Sequence, residues 1–238
     1  MNNIEPQKKS FKIKILVEIA IVFLTIVTIK HLADYFEVIG AGSIAIWCGI
    51  IVSTIFMKQN KIKSKAFGPQ IPKGTKNWLI NILIALGTVI LVFSIMGLIV
   101  KPILESFGLT NPADVADRFA FFMGKPLVFI SYLITVVWFG AALGEELLFR
   151  GYLLNRLVEF TGNNKSGIII ALITHAVIFG MLHIYQGLAG VIATGCIALI
   201  FGSVYFIIKR KLFPIIIAHG IINSFSLIGL YLNNGIIS

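Results

Sequence analysis

Three observations predict an all-α, polytopic transmembrane helix bundle of about seven spans. First, hydrophobic residues make up 58% of the 238-residue chain and only 13% of residues are charged, with a mean hydropathy of +0.95. Soluble domains carry roughly 25% charged residues. Second, the apolar residues fall into seven runs, about 15–33, 38–57, 78–100, 126–149, 167–183, 186–208 and 212–232. Most of these approach the ~20 residues that a spanning helix needs. Third, the positive charges lie between the runs rather than within them. In a soluble chain a net charge of +10 and a pI near 9.7 would raise nucleic acid as a partner. Here membrane topology accounts for the charge, and no nucleic-acid partner is expected. The expectation is a single membrane domain, 1–238, surrounded by lipid and passing many times through the cell membrane.

Residues 1–14 form a basic tail with Lys8, Lys9, Lys12 and Lys14. No small-x-small cleavage site follows Ile15–Ile29, so this run reads as an uncleaved first span rather than a signal peptide. Glu18 lies one turn inside it and is expected to snorkel towards the interface. Residues 58–77 read as a polar, lysine-rich loop with Gly68-Pro69 and Pro72, and 101–125, with Pro102 and Asn111-Pro112, as the other long connection. Placing the N-terminus in the cytoplasm puts fifteen Lys and Arg on that side, including Lys58, Lys61, Lys63, Lys65, Arg156, Lys165, Lys209, Arg210 and Lys211. Only Lys30, Lys101, Arg118 and Lys125 then lie outside. That asymmetry predicts N-in, C-out, with Trp78 as an anchor at the inner boundary. Cys48 and Cys196 fall within apolar runs, and neither a disulfide nor a metal site is expected of them.

The remaining ionisable residues at membrane depth are Glu18, Glu145, Glu146, Arg150, His175, His183 and His219, all but the first between 145 and 219. Each such group is disfavoured by roughly 2.5–3.5 kcal/mol even on the mildest insertion scale, so these residues are functional candidates. Glu146 and Arg150 stand i and i+4 with the acid first, the better order for an ion pair. Glu145 points about 100° away on an α-helix and has no partner in its own helix. His219 and Asn223 are again i and i+4 and share a face, for which Glu145 is the obvious polar object. His175 reads as a satisfied packing residue, and Phe179 as a wall of the site. A carboxylate, two imidazoles and an amide from three helices would have hydrolytic chemistry available. The carboxylate can deprotonate water, a histidine can orient it or protonate a leaving amine, and a histidine–asparagine pair can stabilise an oxyanion. No Gly-x-Ser-x-Gly elbow, His-Glu-x-x-His pair or Walker loop is present in the sequence.

Glu145-Glu146-x-x-x-Arg150, Phe179-x-x-x-His183 and His219-x-x-x-Asn223 together resemble the intramembrane proteases grouped as CAAX proteases and bacteriocin-processing enzymes, also called the Abi family. The resemblance covers about 135–232, within a motif-bearing core of about 126–232. It implies an intramembrane endopeptidase in which Glu145 activates water, His183 assists, and His219 and Asn223 form the oxyanion hole, with Glu146, Arg150 and Phe179 in support. It implies no cofactor; in a metal-dependent version, zinc would be held by Glu145, His183 and His219. Richness in Lys, Ile and Asn fits an AT-rich bacterial genome, so the expected substrate is a peptide or membrane protein rather than a prenylated one. The alternative is a non-catalytic membrane regulator or bacteriocin-immunity protein on the same fold. A proton-coupled transporter is disfavoured because the two halves show no inverted repeat.

Overall fold

The computed structural model describes residues 4–62, 68–110 and 117–235, without the side chains of 4–9, 117 and 234–235. Among the expectations above, those on Lys63, Lys65 and Asn111-Pro112 lie outside these residues, and those on Lys8 and Lys9 fall on side chains that are not described. The described residues form helices joined by short connections, with no strand among them. The helices are α1 (Ile4–Tyr35), α2 (Ala41–Gln59), α3 (Thr75–Ile95), α4 (Lys101–Ser106), α5 (Pro126–Tyr132), α6 (Asn155–Thr161), α7 (Lys165–Met181), α8 (Gly187–Ile207) and α9 (Phe213–Gly235). Two pairs are continuous. A wide π-type turn, Met96–Val100, joins α3 to α4, and a long π-type stretch, Leu133–Leu154, joins α5 to α6. The second pair forms a central helix, Pro126–Thr161.

All seven apolar runs are helical. Five of the resulting elements are long and apolar enough to cross a membrane: Ala41–Gln59, Thr75–Ser106, Pro126–Thr161, Ile184–Ile207 and Phe213–Asn233. The other two runs lie in α1 and in α7, a shorter apolar helix of 17 residues. The ends of the elements follow local chemistry. Pro126 opens the central helix, where its missing N–H has no intrahelical partner to lose. Gly162 stops that helix at φ +111°, and the Asn164 side chain then accepts from Gly167 N at 2.8 Å to start α7. The second long connection is more ordered than expected. Helix continues to Ser106, and Asp117–Phe122 forms a 3₁₀ turn.

Contacts between neighbours show that the helices alternate in direction. α2 runs parallel to the central helix: a Cβ on Gly40 would meet Val136, one on Gly140 would meet Ser43, and one on Gly49 would lie near Leu148. α9 runs antiparallel to it, since His219 reaches Glu146 while Ser224 reaches Trp138. α3 runs parallel to α9, with Trp78 on Phe213 at 5.0 Å and Phe93 on Phe225 at 6.3 Å. α7 and α8 cross closely where a Cβ on Gly180 would fall 2.5 Å from the Val191 carbonyl oxygen. Small residues permit such approach, which is how helices associate without a hydrophobic drive in lipid.

Positions 136, 140, 144 and 148 all face α2. Stretches of π-helix are rare and concentrate at functional sites.

Two expectations about charge change at the Arg156 end. Glu18 does not snorkel. It is buried, its Oε2 takes Arg156 Nη2 at 2.5 Å, and its Oε1 accepts from Asn60 Nδ2 at 2.9 Å. Arg156, counted among the exposed topogenic charges, is fully buried between Glu18 and Glu159. The pairing across 138 residues of sequence satisfies both groups where they stand. At the Pro126 end, Phe119, Phe121, Phe122, Phe129, Tyr132 and Tyr231 form a separate aromatic cluster.

Candidate active site

The site is built around the central helix. Arg150 and Glu146 are both fully buried, and Arg150 Nη1 donates to Glu146 Oε1 at 2.9 Å, as the i, i+4 spacing predicts. The guanidinium also lies over the Phe179 ring of α7 at 4.9 Å and the Phe201 ring of α8 at 5.3 Å. One carboxylate and two π faces therefore offset the loss of water.

The second partner of Glu146 is His219 on α9, whose Nδ1 lies 2.7 Å from the same Oε1. A carboxylate oxygen only accepts, so Nδ1 carries the proton and Nε2 is left facing away from Glu146. This differs from the expectation that His219 addresses Glu145. The face of the central helix that meets α9 presents Glu146, and the spacing of charges along one helix does not encode how that helix is rotated against its neighbours. Glu145 is half-buried and makes no ion pair or hydrogen bond among the described residues. Thus one carboxylate is neutralised and one is free, as expected.

His183 lies two residues past the end of α7. Its Nδ1 lies 2.9 Å from the Phe179 carbonyl oxygen, which can only accept, so Nδ1–H donates. The Phe179 ring is buried and lies 4.9 Å from the His183 ring. The central helix and α7 run antiparallel, and Arg150 sits on Phe179. Glu146 precedes Arg150 by one turn, and His183 follows Phe179 just past the end of α7. Asn223 is half-buried, one turn beyond His219, with no hydrogen bond among the described residues. Beside it, Trp138 Nε1 donates to Ser224 Oγ at 3.1 Å, and the Trp138 ring fills the space where Gly220 lacks a side chain.

His175, expected as a satisfied packing residue, packs without being satisfied. It is fully buried against Phe149 and Phe179, and neither ring nitrogen has a hydrogen-bond partner among the described residues. Sequence reasoning missed Phe201, Trp138 and Tyr185. Aromatic residues are too common in spanning helices for any of them to stand out by type.

Among the described residues no three His, Cys, Asp or Glu side chains are grouped so as to hold a metal ion. No step is routed through a metal below.

Residues 127–225 match the family described as Rce1-like, type II CAAX prenyl endopeptidase. No curated protein and no solved structure matches the chain. The matched stretch starts at the opening turn of the central helix and ends within α9, so it contains Glu145, Glu146, Arg150, Phe179, His183, His219 and Asn223. Over residues 127–225 the chain is thus similar to the Rce1-like, type II CAAX prenyl endopeptidase family.

Proposed function

We propose that the chain is an intramembrane endopeptidase that hydrolyses a peptide bond of a membrane-associated peptide or protein. The observation that carries this reading is the chain of contacts among the motif residues: Glu146 with His219, Glu146 with Arg150, Arg150 over Phe179 and Phe179 against His183, with Glu145 beside Glu146 in sequence. Glu145 is the water-activating base, since it is the carboxylate without a neutralising partner. His183 directs its unprotonated Nε2 to the same water. Hydroxide adds to the scissile carbonyl carbon as Glu145 takes the proton. Asn223 Nδ2–H, and His219 through Nε2 when that nitrogen is protonated, donate to the oxyanion. The C–N bond then breaks, and the proton held by Glu145 passes to the leaving amine. Glu146 and Arg150 act indirectly: Glu146 fixes the His219 ring through Nδ1, and Arg150 balances its charge.

The test uses purified protein in proteoliposomes with two internally quenched peptides of equal length, one farnesylated and one unprenylated and apolar. The expected result is internal cleavage of at least one, read by mass spectrometry of both fragments, and a loss of 10²–10⁴-fold in His183→Ala. Cleavage of neither peptide by the wild type, or equal cleavage by His183→Ala, contradicts the proposal. Cleavage of the unprenylated peptide alone would assign a substrate class without a lipid anchor.

A further inference from the structure

Asn155 stands where the π-type winding of Leu133–Leu154 gives way to the α-helix Asn155–Thr161, and it plays no part in the chemistry described above. It is buried inside a continuous helix, a position that disfavours asparagine because its short amide competes for the backbone. Its Nδ2 donates to the carbonyl oxygens of Arg150 at 2.9 Å and Gly151 at 2.8 Å, and reaches the Tyr205 hydroxyl of α8 at 2.9 Å. Its Oδ1 accepts at 3.1 Å from Nη1 of Arg210, in the turn between α8 and α9. Carbonyl oxygens only accept and a guanidinium only donates, so the amide has one possible orientation. Arg210 is itself held: Nη2 donates to Asn163 Oδ1 at 2.9 Å, and the guanidinium lies over Phe206 at 5.2 Å. Lys209 and Arg210 have φ of +59° and +60°, a backbone conformation rare for residues with a side chain and kept only where the surroundings dictate it. Asn81 in α3 shows how such a residue ordinarily behaves: it donates to one carbonyl, that of Asn77, and its Oδ1 has no partner among the described residues. A helix-end cap does not explain Asn155, because the helix continues to Thr161. The position does call for a donor. Where N–H groups change from bonding five residues back to bonding four back, one carbonyl is passed over and must be satisfied by another group.

One of the two carbonyls belongs to Arg150, whose guanidinium holds Glu146, which in turn holds His219. α8 touches the same group one turn before Tyr205: the Phe201 ring lies against the Arg150 guanidinium and 5.6 Å from the His219 ring. Turns of π and α winding rotate the chain by different amounts per residue, so the point at which one becomes the other sets how the residues before it face those after it. We infer that Asn155 is a positioning residue of the hydrolytic site: it pins the end of the π-type winding, and with it the facing of Glu145, Glu146 and Arg150, while Arg210 holds its amide in the orientation that can do so. The inference rests on the reading of Glu145 as the base. It extends the site beyond the three sequence motifs to the turn that carries Arg210.

The experiment compares full-length wild type, Asn155→Leu, Arg210→Met, the double variant and Glu145→Gln in proteoliposomes, on whichever of the two quenched peptides the wild type cleaves. Asn155→Leu keeps the shape of the side chain and loses its donors and acceptor. Its kcat per folded molecule is expected to fall about tenfold or more, with KM within about twofold, because a small misplacement of the base slows the reaction without weakening binding. Arg210→Met keeps an unbranched stem and loses the donor, so the buried amide is free to turn. Its kcat should fall about twofold or more, with KM and melting temperature unchanged. The double variant should lose no more kcat than Asn155→Leu alone, because Arg210 acts through Asn155. A wild-type kcat in Asn155→Leu, a loss confined to KM, or losses that multiply in the double variant overturn the inference. If Asn155→Leu fails to fold, Arg210→Met decides, and a wild-type kcat in that variant overturns the inference. If Glu145→Gln is inactive while Asn155→Leu is wild type, only the role of Asn155 falls. If Glu145→Gln remains active, the base assignment falls and takes this inference with it.

Discussion

Arg150 shows what a fully buried guanidinium requires. Glu146 neutralises it, and Phe179 and Phe201 cover its faces. Removing one partner of such a pair is destabilising by about 3–5 kcal/mol, because the other charge is left buried and alone. Arg150→Ala should therefore accumulate poorly and melt early, and Arg150→Lys should recover little, since an ammonium cannot lie flat between two rings. Thermal unfolding in detergent checks this; an Arg150→Ala protein as stable as wild type but inactive would move Arg150 into the chemistry. Glu146 offers a sharper contrast. Glu146→Gln retains an oxygen that accepts from His219 and Arg150, whereas Glu146→Ala strands both. Activity of the Gln variant is expected to exceed that of the Ala variant at least tenfold, and equal activities would remove Glu146 from the positioning of His219.

At the scale of helices, the α2–central helix seam decides where Glu145 and Glu146 point. A Cβ on Gly140 would fall 1.9 Å from Ser43 Oγ, whereas one on Gly87, in α3, would meet nothing within 4 Å. Overpacking of this kind destabilises by about 1–3 kcal/mol or more. Gly140→Val should therefore lower the melting temperature clearly and Gly87→Val much less; similar shifts would mean that the seam is not tight. The full length of the central helix was only partly legible: the apolar run ends near 149, whereas the helix continues to Thr161. The Glu146–Arg150 pair was legible, because it depends only on spacing within one helix. The pairing of His219 with Glu146 rather than Glu145 was not legible, because it depends on the rotation of two helices about their axes and on the π winding. The Glu18–Arg156 pair was hidden for a related reason: two helices far apart in sequence meet only through the packing of the bundle.

At the scale of the molecule, the alternating helix directions put Lys14, Asn60, Arg156, Lys165 and Arg210 at one end and Asp34, Lys125 and Pro126 at the other. On the positive-inside rule, the first end is proposed to face the cytoplasm. In a background with Cys48 and Cys196 replaced, a cysteine at Asn163 should react with a membrane-impermeant maleimide only after the inner face is exposed. One at Lys125 should react in intact cells, and the reverse pattern would invert the topology. The site itself is expected to work without metal. EDTA and o-phenanthroline should leave activity within about twofold, with well under one zinc per chain by elemental analysis; stoichiometric zinc that tracks with activity would contradict this.

The central claim is that a single free glutamate, set beside a neutralised one, activates water with two histidines taking part. The most direct measurement is the single-turnover cleavage rate of purified Glu145→Gln, with folding verified by its melting temperature. The amide cannot take a proton from water, so a loss of 10²–10⁴-fold with an unchanged melting temperature is predicted. A folded Glu145→Gln protein cleaving at the wild-type rate would contradict the account.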